Sequence, residues 1–270
     1  MLVFPNAKIN IGLNIINKRK DGFHNLETIF YPIDLSDILE FVESKSKERF
    51  NTTGIDIEID DEHNLVLKAY HLLKKDFNLP ELEIHLHKSI PTGAGLGGGS
   101  SDASFMLKTL NDHFELNINS NQLETYAQEL GSDCPFFIKN KPVFAEGTGN
   151  IFSEIDLDLS KYYIAIIKPD IQIPTKLAFS NIKAEKPLKS LKELIKLPML
   201  RWKDYIKNDF EENIFKEFPK IKDIKDRMYN AGALYAQMSG SGSSVFGIFK
   251  EEPKITSEKD SIYYTQKPRF

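Results

Sequence analysis

Apolar and polar residues repeat with two different periods in the first half of the chain. From Gly54 to Asp60 and from Glu81 to His87 they alternate one by one, which is typical of a strand with one buried face. Between these segments, apolar residues recur every three or four positions, and Asn64 precedes them as a plausible N-terminal cap. The pattern therefore predicts the order strand, helix, strand.

The helical period returns twice after residue 100. One apolar stripe runs from Ala103 to Phe114 and another from Leu123 to Leu130, with Gly131 as the stop signal of the second. Both stripes predict helices that pack one face on a core.

A tight turn is predicted near the N-terminus. The dipeptide Asp21-Gly22 separates the apolar segments Ile9–Ile16 and Leu26–Ile33. Such a dipeptide between two strand-like segments is typical of a hairpin turn.

The second half of the chain also mixes strands and helices. Tyr162–Ile167 and Val245–Phe249 are predicted strands, and residues 188–230 are predicted to be rich in helix. Strands and helices in both halves indicate an α/β class of the α+β type. We expect two domains, at residues 1–150 and 151–270, with an approximate boundary near residue 150.

Composition narrows the classes of function. Of the 270 residues 41% are hydrophobic and 27% are charged, which is ordinary for a globular protein, and the net charge of −4 argues against a general nucleic-acid binder. The single cysteine, Cys134, excludes an intramolecular disulfide and fits a reducing, cytoplasmic compartment. The N-terminus lacks the pattern of a secretory signal, and the apolar runs are too short to span a membrane.

A glycine-rich segment at residues 91–101 carries the strongest chemical signal. It holds five glycines within seven residues, follows a predicted strand and precedes a predicted helix. Glycines let a backbone approach a ligand closely, and the start of a helix offers unpaired amides and a positive dipole end. The segment therefore predicts a phosphate-binding loop.

Two kinds of phosphate loop remain to be compared. The spacing of a Walker loop is missing, whereas Gly93, Gly95 and Gly98 satisfy the dinucleotide pattern G-x-G-x-x-G. An NAD-dependent oxidoreductase is therefore a rival interpretation. Two features weigh against that rival: the loop lies a third of the way along the chain, and its last glycine is followed by the polar residues Ser100, Ser101 and Asp102.

Six segments together resemble the GHMP kinases, and within them a branch whose acceptor is a sugar alcohol that carries a cytidine diphosphate. These segments are Pro5–Asn14, Asp21–Thr28, Pro91–Ala103, Gly131–Phe137, Lys168–Thr175 and Ser239–Ser244. The branch usually has tyrosine where this chain has Phe23, which keeps an aromatic ring but lacks the hydroxyl group.

The resemblance implies a two-domain GHMP kinase fold with the active-site cleft between the domains. It also implies ATP as co-substrate with Mg²⁺, small-molecule partners rather than nucleic acid or membrane, and a monomer or homodimer; the sequence does not indicate which residues hold the metal. The ATP-binding residues implied by the resemblance are Pro91, Thr92, Gly93, Ala94, Gly95, Leu96, Gly97, Gly98, Gly99, Ser100 and Ser101.

Two catalytic residues are implied by the same resemblance. Asp133 would act as general base and accept the proton of the acceptor alcohol. Lys8 would orient Asp133, favour its ionised form and stabilise the charge that develops in the transfer.

Four residues would recognise the acceptor. Phe23 and Phe179 match aromatic positions of the branch and would sandwich the cytosine, because a base presents a π face to an aromatic ring. His24 would hydrogen-bond the edge of the base, and Asn10 would contact the substrate near Lys8.

Two further interpretations stay open at this point. Another GHMP kinase, of the mevalonate or homoserine type, would phosphorylate a different alcohol, but neither alcohol has a base to stack on Phe23. A nucleotide-binding regulator that has lost kinase activity is the other possibility, and the presence of both Lys8 and Asp133 speaks against it.

Overall fold

A computed structural model of the chain describes residues 1–56, 63–179, 182–255 and 261–268. The residues group into two compact units, each built from three separate stretches of the chain. The first contains Met1–Lys8, Pro32–Thr92 and Gly97–Lys141, and the second contains Ile9–Tyr31, Gly93–Leu96 and Pro142–Phe270.

This division differs from the predicted domains at 1–150 and 151–270 in three places, since residues 9–31, 93–96 and 142–150 all lie in the second unit. Residues 9–31 belong with the later part of the chain because Thr28 to Phe30 pair with Val143 to Ala145. Residues 93–96 belong there because the carbonyl oxygen of Gly95 accepts a hydrogen bond from Ser239.

The described strands, in chain order, are β1 (Leu2–Val3), β2 (Asn6–Lys18), β3 (His24–Ser36), β4 (Ile38–Glu43), β5 (Arg49–Gly54), β6 (Leu82–Lys88), β7 (Val143–Glu146), β8 (Ile151–Glu154), β9 (Tyr163–Pro169), β10 (Tyr235–Met238), β11 (Val245–Phe249) and β12 (Ser261–Gln266). The described helices are α1 (Leu65–Asp76), α2 (Gly98–His113), α3 (Ser120–Leu130), α4 (Cys134–Lys139), α5 (Thr175–Phe179), α6 (Leu191–Leu194), α7 (Met199–Tyr205), α8 (Glu211–Glu217) and α9 (Pro219–Asn230). The predicted α+β class is confirmed.

The first unit contains a four-stranded sheet in the order β1-β4-β6-β5. β6 pairs antiparallel with β4 and parallel with β5, and its alternating residues Leu82, Ile84 and Leu86 are buried. The strand predicted from Glu81 to His87 is thus confirmed. Of the strand predicted from Gly54, only Gly54 itself lies in β5, and residues 57–60 fall outside the described part of the chain.

Helices α1, α2 and α3 contribute most of the helical part of this unit's core. Their inward positions are filled by apolar side chains, among them Leu73, Met106 and Leu123. Asn64 caps α1, since its Oδ1 accepts a hydrogen bond from the amide of Val66 at 2.9 Å. The helices predicted at 65–73, 103–114 and 123–130 are confirmed.

The second unit contains two antiparallel systems of strands. One sheet has the order β2-β3-β7-β8, and the turn between β2 and β3 contains Gly22 with φ +88°, so the predicted hairpin is confirmed. The other sheet has the order β10-β11-β9-β12 and includes both strands predicted for the second half. Helices α6 to α9 account for the predicted helix-rich segment. Among the described helices, none combines the length and the apolar character needed to cross a membrane.

Candidate active site

The glycine-rich loop connects β6 to α2, and its path requires glycine. Gly93, Gly95 and Gly97 have φ values of +60°, +76° and +72°, a left-handed region that residues with a Cβ rarely adopt. At Gly95 a Cβ would also collide with the carbonyl oxygen of Ser239. Both the backbone conformation and the close approach therefore exclude larger residues at this position.

Helix α2 begins at Gly98, with Gly97 as its N-cap. The first hydrogen bond inside the helix runs from the amide of Ser101 to the carbonyl of Gly97 at 2.9 Å. The geometry of a helix leaves the earlier amides, those of Gly98 to Ser100, without a partner in the helix. Together with the helix dipole, these amides form a suitable site for a phosphate group.

The helix begins two residues before Ser100. Ser100 is therefore its third residue and is partly exposed, whereas Ser101 is its fourth and is fully buried. The hydroxyl of Ser101 has no hydrogen-bond partner within the described part of the protein. Of the two serines, Ser100 alone keeps part of its surface exposed.

Lys8 lies against the start of α2. A Cβ placed on Gly97 would be 3.1 Å from the Cε of Lys8, so the lysine side chain fills the space that the glycine leaves. Lys8 is only 3% exposed on β2, and a buried ammonium group needs an opposite charge. Asp133 supplies one, with its Oδ2 3.4 Å from the Nζ of Lys8. The structure thus brings together both predicted catalytic residues and the first residues of α2.

Asp133 immediately precedes α4 but does not cap it. An aspartate at this position usually accepts a hydrogen bond from the helix amides, and here the side chain makes no such bond. The side chain of Asp133 remains 32% exposed, so a substrate hydroxyl can reach it. The neighbouring Cys134 is fully buried, and burial raises the pKa of its thiol to about 11, which fits a packing role.

In the second unit, the Ser239–Ser244 segment packs on residues of the glycine-rich loop. The hydroxyl of Ser239 accepts a hydrogen bond from the backbone amide of Asn10 at 3.1 Å and donates one to the backbone carbonyl of Gly95 at 2.8 Å. The amide of Ser244 donates to the carbonyl of Ala94 at 3.2 Å. The segment is therefore a tight structural loop and not a flexible linker.

Asn10 is almost fully buried in the same unit. Its Nδ2 donates to the hydroxyl of Thr28 at 3.1 Å, and the hydroxyl of Thr28 in turn donates to the carbonyl of Gly12. This network fixes the side-chain amide of Asn10 beside Gly240. A Cβ placed on Gly240 would be 3.2 Å from the Oδ1 of Asn10. Contact of Asn10 with a substrate stays a prediction.

The predicted aromatic residues fall into two groups. The ring of His24 stacks on Phe179, with centroids 4.9 Å apart and an interplanar angle of 22°, and Phe179 meets Phe210 edge to face. Phe23 projects from the hairpin turn with 64% of its surface exposed. Burial and the charge of Lys18 lower the pKa of His24. Phe179 thus stacks on His24, and the sandwich of a cytosine between Phe23 and Phe179 stays a prediction.

A buried charge cluster below the glycine-rich loop was missed by the sequence analysis. Lys88, the last residue of β6, contacts the carboxylates of Asp37 and Asp102. Burial raises the pKa of Asp102 to about 8 although Lys88 opposes the shift, and for Lys88 the two carboxylates outweigh burial and raise its pKa. Lys88 continues the buried alternation of Leu82, Ile84 and Leu86, and this signal could have identified it as a buried lysine that needs a partner.

The described residues include no group of three or more His, Cys, Asp or Glu side chains arranged to hold a metal ion.

Comparison with known proteins identifies two family domains in the chain. Residues 64–141 match the GHMP kinases N terminal domain, and residues 179–263 match the GHMP kinases C terminal domain. These matches contain the glycine-rich loop and Asp133 in the first domain and Phe179 in the second.

Curated relatives match over most of their length. The 4-diphosphocytidyl-2-C-methyl-D-erythritol kinase of Bacteroides fragilis is 56% identical over 251 residues, which cover 92% of each chain. The protein of that name from Bacteroides thetaiotaomicron gives the same identity and the same coverage.

Solved structures agree in fold. A crystal structure of 4-(cytidine 5'-diphospho)-2C-methyl-D-erythritol kinase matches with a TM-score of 0.77 and 29% identity, covering 92% of this chain and 90% of that chain. The mevalonate kinase of Methanococcus jannaschii matches with a TM-score of 0.72 at 14% identity, covering 98% and 97%, and shows the fold alone.

Proposed function

The chain belongs to the GHMP kinase family, and from this premise we propose that it transfers the γ-phosphoryl group of ATP to the 2-hydroxyl group of 4-diphosphocytidyl-2-C-methyl-D-erythritol. The observation that carries the proposal is the position of Lys8, which lies between the start of α2 and Asp133. A cation there can act on the phosphates and on the general base at the same time.

Phosphoryl transfer in this arrangement needs little covalent chemistry from the protein. The hydroxyl oxygen of the acceptor attacks the γ-phosphorus, the bond to the bridging oxygen of ADP breaks, and Asp133 accepts the hydroxyl proton. Lys8 holds Asp133 in place and stabilises negative charge on the phosphoryl oxygens. Asp133 suits this role because its carboxylate is exposed and is not used as a helix cap.

The glycine-rich loop, residues 91–101, binds the phosphates of ATP. The amides of Gly98 to Ser100 and the dipole of α2 supply the main attraction, and the glycines allow close approach of the backbone. Mg²⁺ enters with the nucleotide and neutralises phosphate charge, held by phosphate oxygens and water.

The cytidine end of the acceptor binds through aromatic and polar residues of the second unit. Phe23 is exposed on a hairpin turn and offers a free face for stacking on cytosine. His24 and Phe179, stacked on each other, form a second aromatic surface, and Asn10 adds a polar contact. The exposed ring of Phe23 favours a cytidine-containing acceptor over mevalonate or homoserine, because neither of these has a base to stack on it.

The product would be the 2-phosphate, an intermediate of the non-mevalonate route to isoprenoid precursors. A cytoplasmic location, predicted from the single cysteine, and the choice between monomer and homodimer stay predictions.

A coupled ATP-consumption assay tests the proposal. We expect turnover with 4-diphosphocytidyl-2-C-methyl-D-erythritol, and phosphorus NMR should show a new phosphomonoester beside the diphosphate. Mevalonate and homoserine, measured at the same concentration, should give only the rate found without acceptor. Equal or faster turnover with either of them would overturn the assignment.

A further inference from the structure

Asp37 holds the first residues of the glycine-rich loop. This residue lies between β3 and β4 and is fully buried. Its Oδ1 accepts hydrogen bonds from the backbone amides of Ser89 and Ile90 at 2.6 and 2.8 Å, and its Oδ2 accepts one from the ammonium group of Lys88. One carboxylate therefore fixes three consecutive residues at the point where the chain enters the loop.

Lys88 connects this point to the far end of the loop. Its Nζ donates to the Oδ2 of Asp102 at 2.6 Å, and Asp102 is the fifth residue of α2. A Cβ placed on Gly98, the first residue of α2, would be 3.4 Å from the Nζ of Lys88. The ammonium group thus lies directly beneath the helix start, and its hydrogen bond to Asp102 closes residues 89–101 into a ring.

We propose that Asp37, Lys88 and Asp102 form a clamp that positions the glycine-rich loop for nucleotide binding. The clamp fixes the distance between the end of β6 and the first turn of α2. The amides of Gly98 to Ser100 are then aligned before the phosphates arrive, so that binding does not have to order them. This inference rests on the proposed function, because it concerns the ATP loop of that kinase.

Stability alone does not explain a buried cluster of this kind. Removing two carboxyl groups and an ammonium group from water is costly, and apolar residues of similar size often replace buried ion pairs without loss of stability. Asp102 also keeps its Oδ1 buried without a hydrogen-bond partner within the described part of the protein. A buried charge cluster that adds little stability but connects both ends of the loop is expected where its role is to hold the loop in one conformation.

Three variants of the full chain distinguish an effect on the conformation of the glycine-rich loop from an effect on the stability of the fold. Asp102→Ala removes the contact to Lys88. The triple variant Asp37→Asn, Lys88→Met and Asp102→Leu removes all three ionisable groups together, so none of them is left buried without its partner. The side-chain oxygen of the asparagine at position 37 can still accept the amides of Ser89 and Ile90, and this variant guards against simple unfolding of the single variant. Asp102→Asn keeps an oxygen that can accept the Lys88 hydrogen bond. The affinity for ATP is measured by calorimetry, and KM for each substrate and kcat are measured by the coupled assay.

We expect Asp102→Ala and the triple variant to bind ATP more weakly by about tenfold or more, because small misplacements of binding groups are costly. KM for the acceptor and kcat at saturating ATP should change little, and Asp102→Asn should stay within twofold of the wild type. As a control, Asn119→Ala removes the capping box of α3 in the same unit and should lower Tm without changing ATP affinity.

Two results would overturn the clamp. If the wild type binds ATP and the folded triple variant binds it with an affinity within twofold of the wild type, the clamp is wrong and the proposed function stands. If the wild type itself binds no ATP, both proposals fail.

Discussion

Asn6 and Asn140 exchange hydrogen bonds between their side-chain amides. The Nδ2 of Asn140 donates to the Oδ1 of Asn6 at 2.6 Å, and the return bond measures 3.3 Å. Asn6 precedes Lys8 by two residues on β2, and Asn140 ends α4, the helix that begins directly after Asp133. The amide pair therefore ties the strand that carries the lysine to the helix that follows the carboxylate.

Loss of this amide pair should slow turnover. Asn140 has φ +52°, so Asn140→Gly keeps the left-handed backbone and removes only the side chain. We expect kcat to fall by up to about tenfold because Lys8 and Asp133 lose part of their alignment, with KM for ATP unchanged. Asn117→Gly, at another left-handed asparagine with φ +58°, is the matched control. Equal kcat values for the two variants would contradict the prediction.

Asp133→Asn should lower the rate of phosphoryl transfer without weakening the binding of ATP. Removing a positioned general base is expected to lower kcat by about a hundredfold or more, and ATP should still bind with nearly normal affinity. Steady-state kinetics and calorimetry measure the two effects. Asp158→Asn, a change at an exposed turn of the second unit, should leave both unaltered. Near-normal turnover of Asp133→Asn would remove Asp133 from the role of base.

Phe23→Ala should weaken recognition of the acceptor. Stacking of a base is worth about 1–3 kcal/mol, which corresponds to a rise in KM of roughly fivefold to a hundredfold. Because Phe23 is 64% exposed, Tm should hardly change. Phe4→Ala, at an aromatic residue that is 57% exposed in the first unit, serves as control. A similar rise in KM for ATP would place the ring at the nucleotide instead.

Asp102→Asn should change how stability depends on pH. The pKa of Asp102 is raised from 3.8 to about 8, so the folded wild type holds a proton that the unfolded chain releases near pH 4. The stability of the wild type therefore falls, relative to the variant, as pH rises from about 4 to about 8, and the difference levels off above that. Tm values at intervals from pH 5 to pH 9 measure this trend.

A matched carboxylate makes the pH test specific. Hydrogen bonds from Ser160 lower the pKa of Asp158, so this side chain is ionised in both the folded and the unfolded protein from pH 5 to pH 9. The difference in Tm between Asp158→Asn and the wild type should be flat from pH 5 to pH 9. If the difference in Tm between Asp102→Asn and the wild type is also independent of pH, Asp102 is ionised in the folded protein at pH 5 and the prediction is wrong.

Cys134 should resist thiol reagents in the folded protein. Its side chain is fully buried and its pKa is raised to about 11, so both access and the thiolate fraction are low at pH 8. Ellman's reagent should react with one thiol per chain only after denaturation. Rapid stoichiometric labelling without denaturant would contradict this packing.

Local patterns predicted the local structure well. The alternation in β6, the apolar stripes of α2 and α3 and the Asp21-Gly22 turn all became the expected elements, because each depends on neighbouring residues. Lys8 and Asp133 could be named from motif resemblance, although 125 positions separate them. The 3.4 Å between their charged groups required the structure.

Contacts between distant segments were harder to predict. Nothing near Asp37 in the sequence indicates that its partners lie at residues 88–90, since strand order decides which segments meet. The stacking of His24 on Phe179 has the same origin, because a hairpin and a short helix bring the rings together. The assignment of residues 9–31 to the second unit likewise follows from long-range strand pairing.

The space shared by Gly97 and Lys8 limits how either position can vary in evolution. Any side chain at position 97 would press on the aliphatic part of the lysine, in addition to straining a backbone with φ +72°. A shorter residue at position 8 would relieve that pressure but remove the ammonium group. The two sites should therefore be inherited together, and a homologue with a bulky residue at position 97 is expected to be a relative that no longer catalyses phosphoryl transfer.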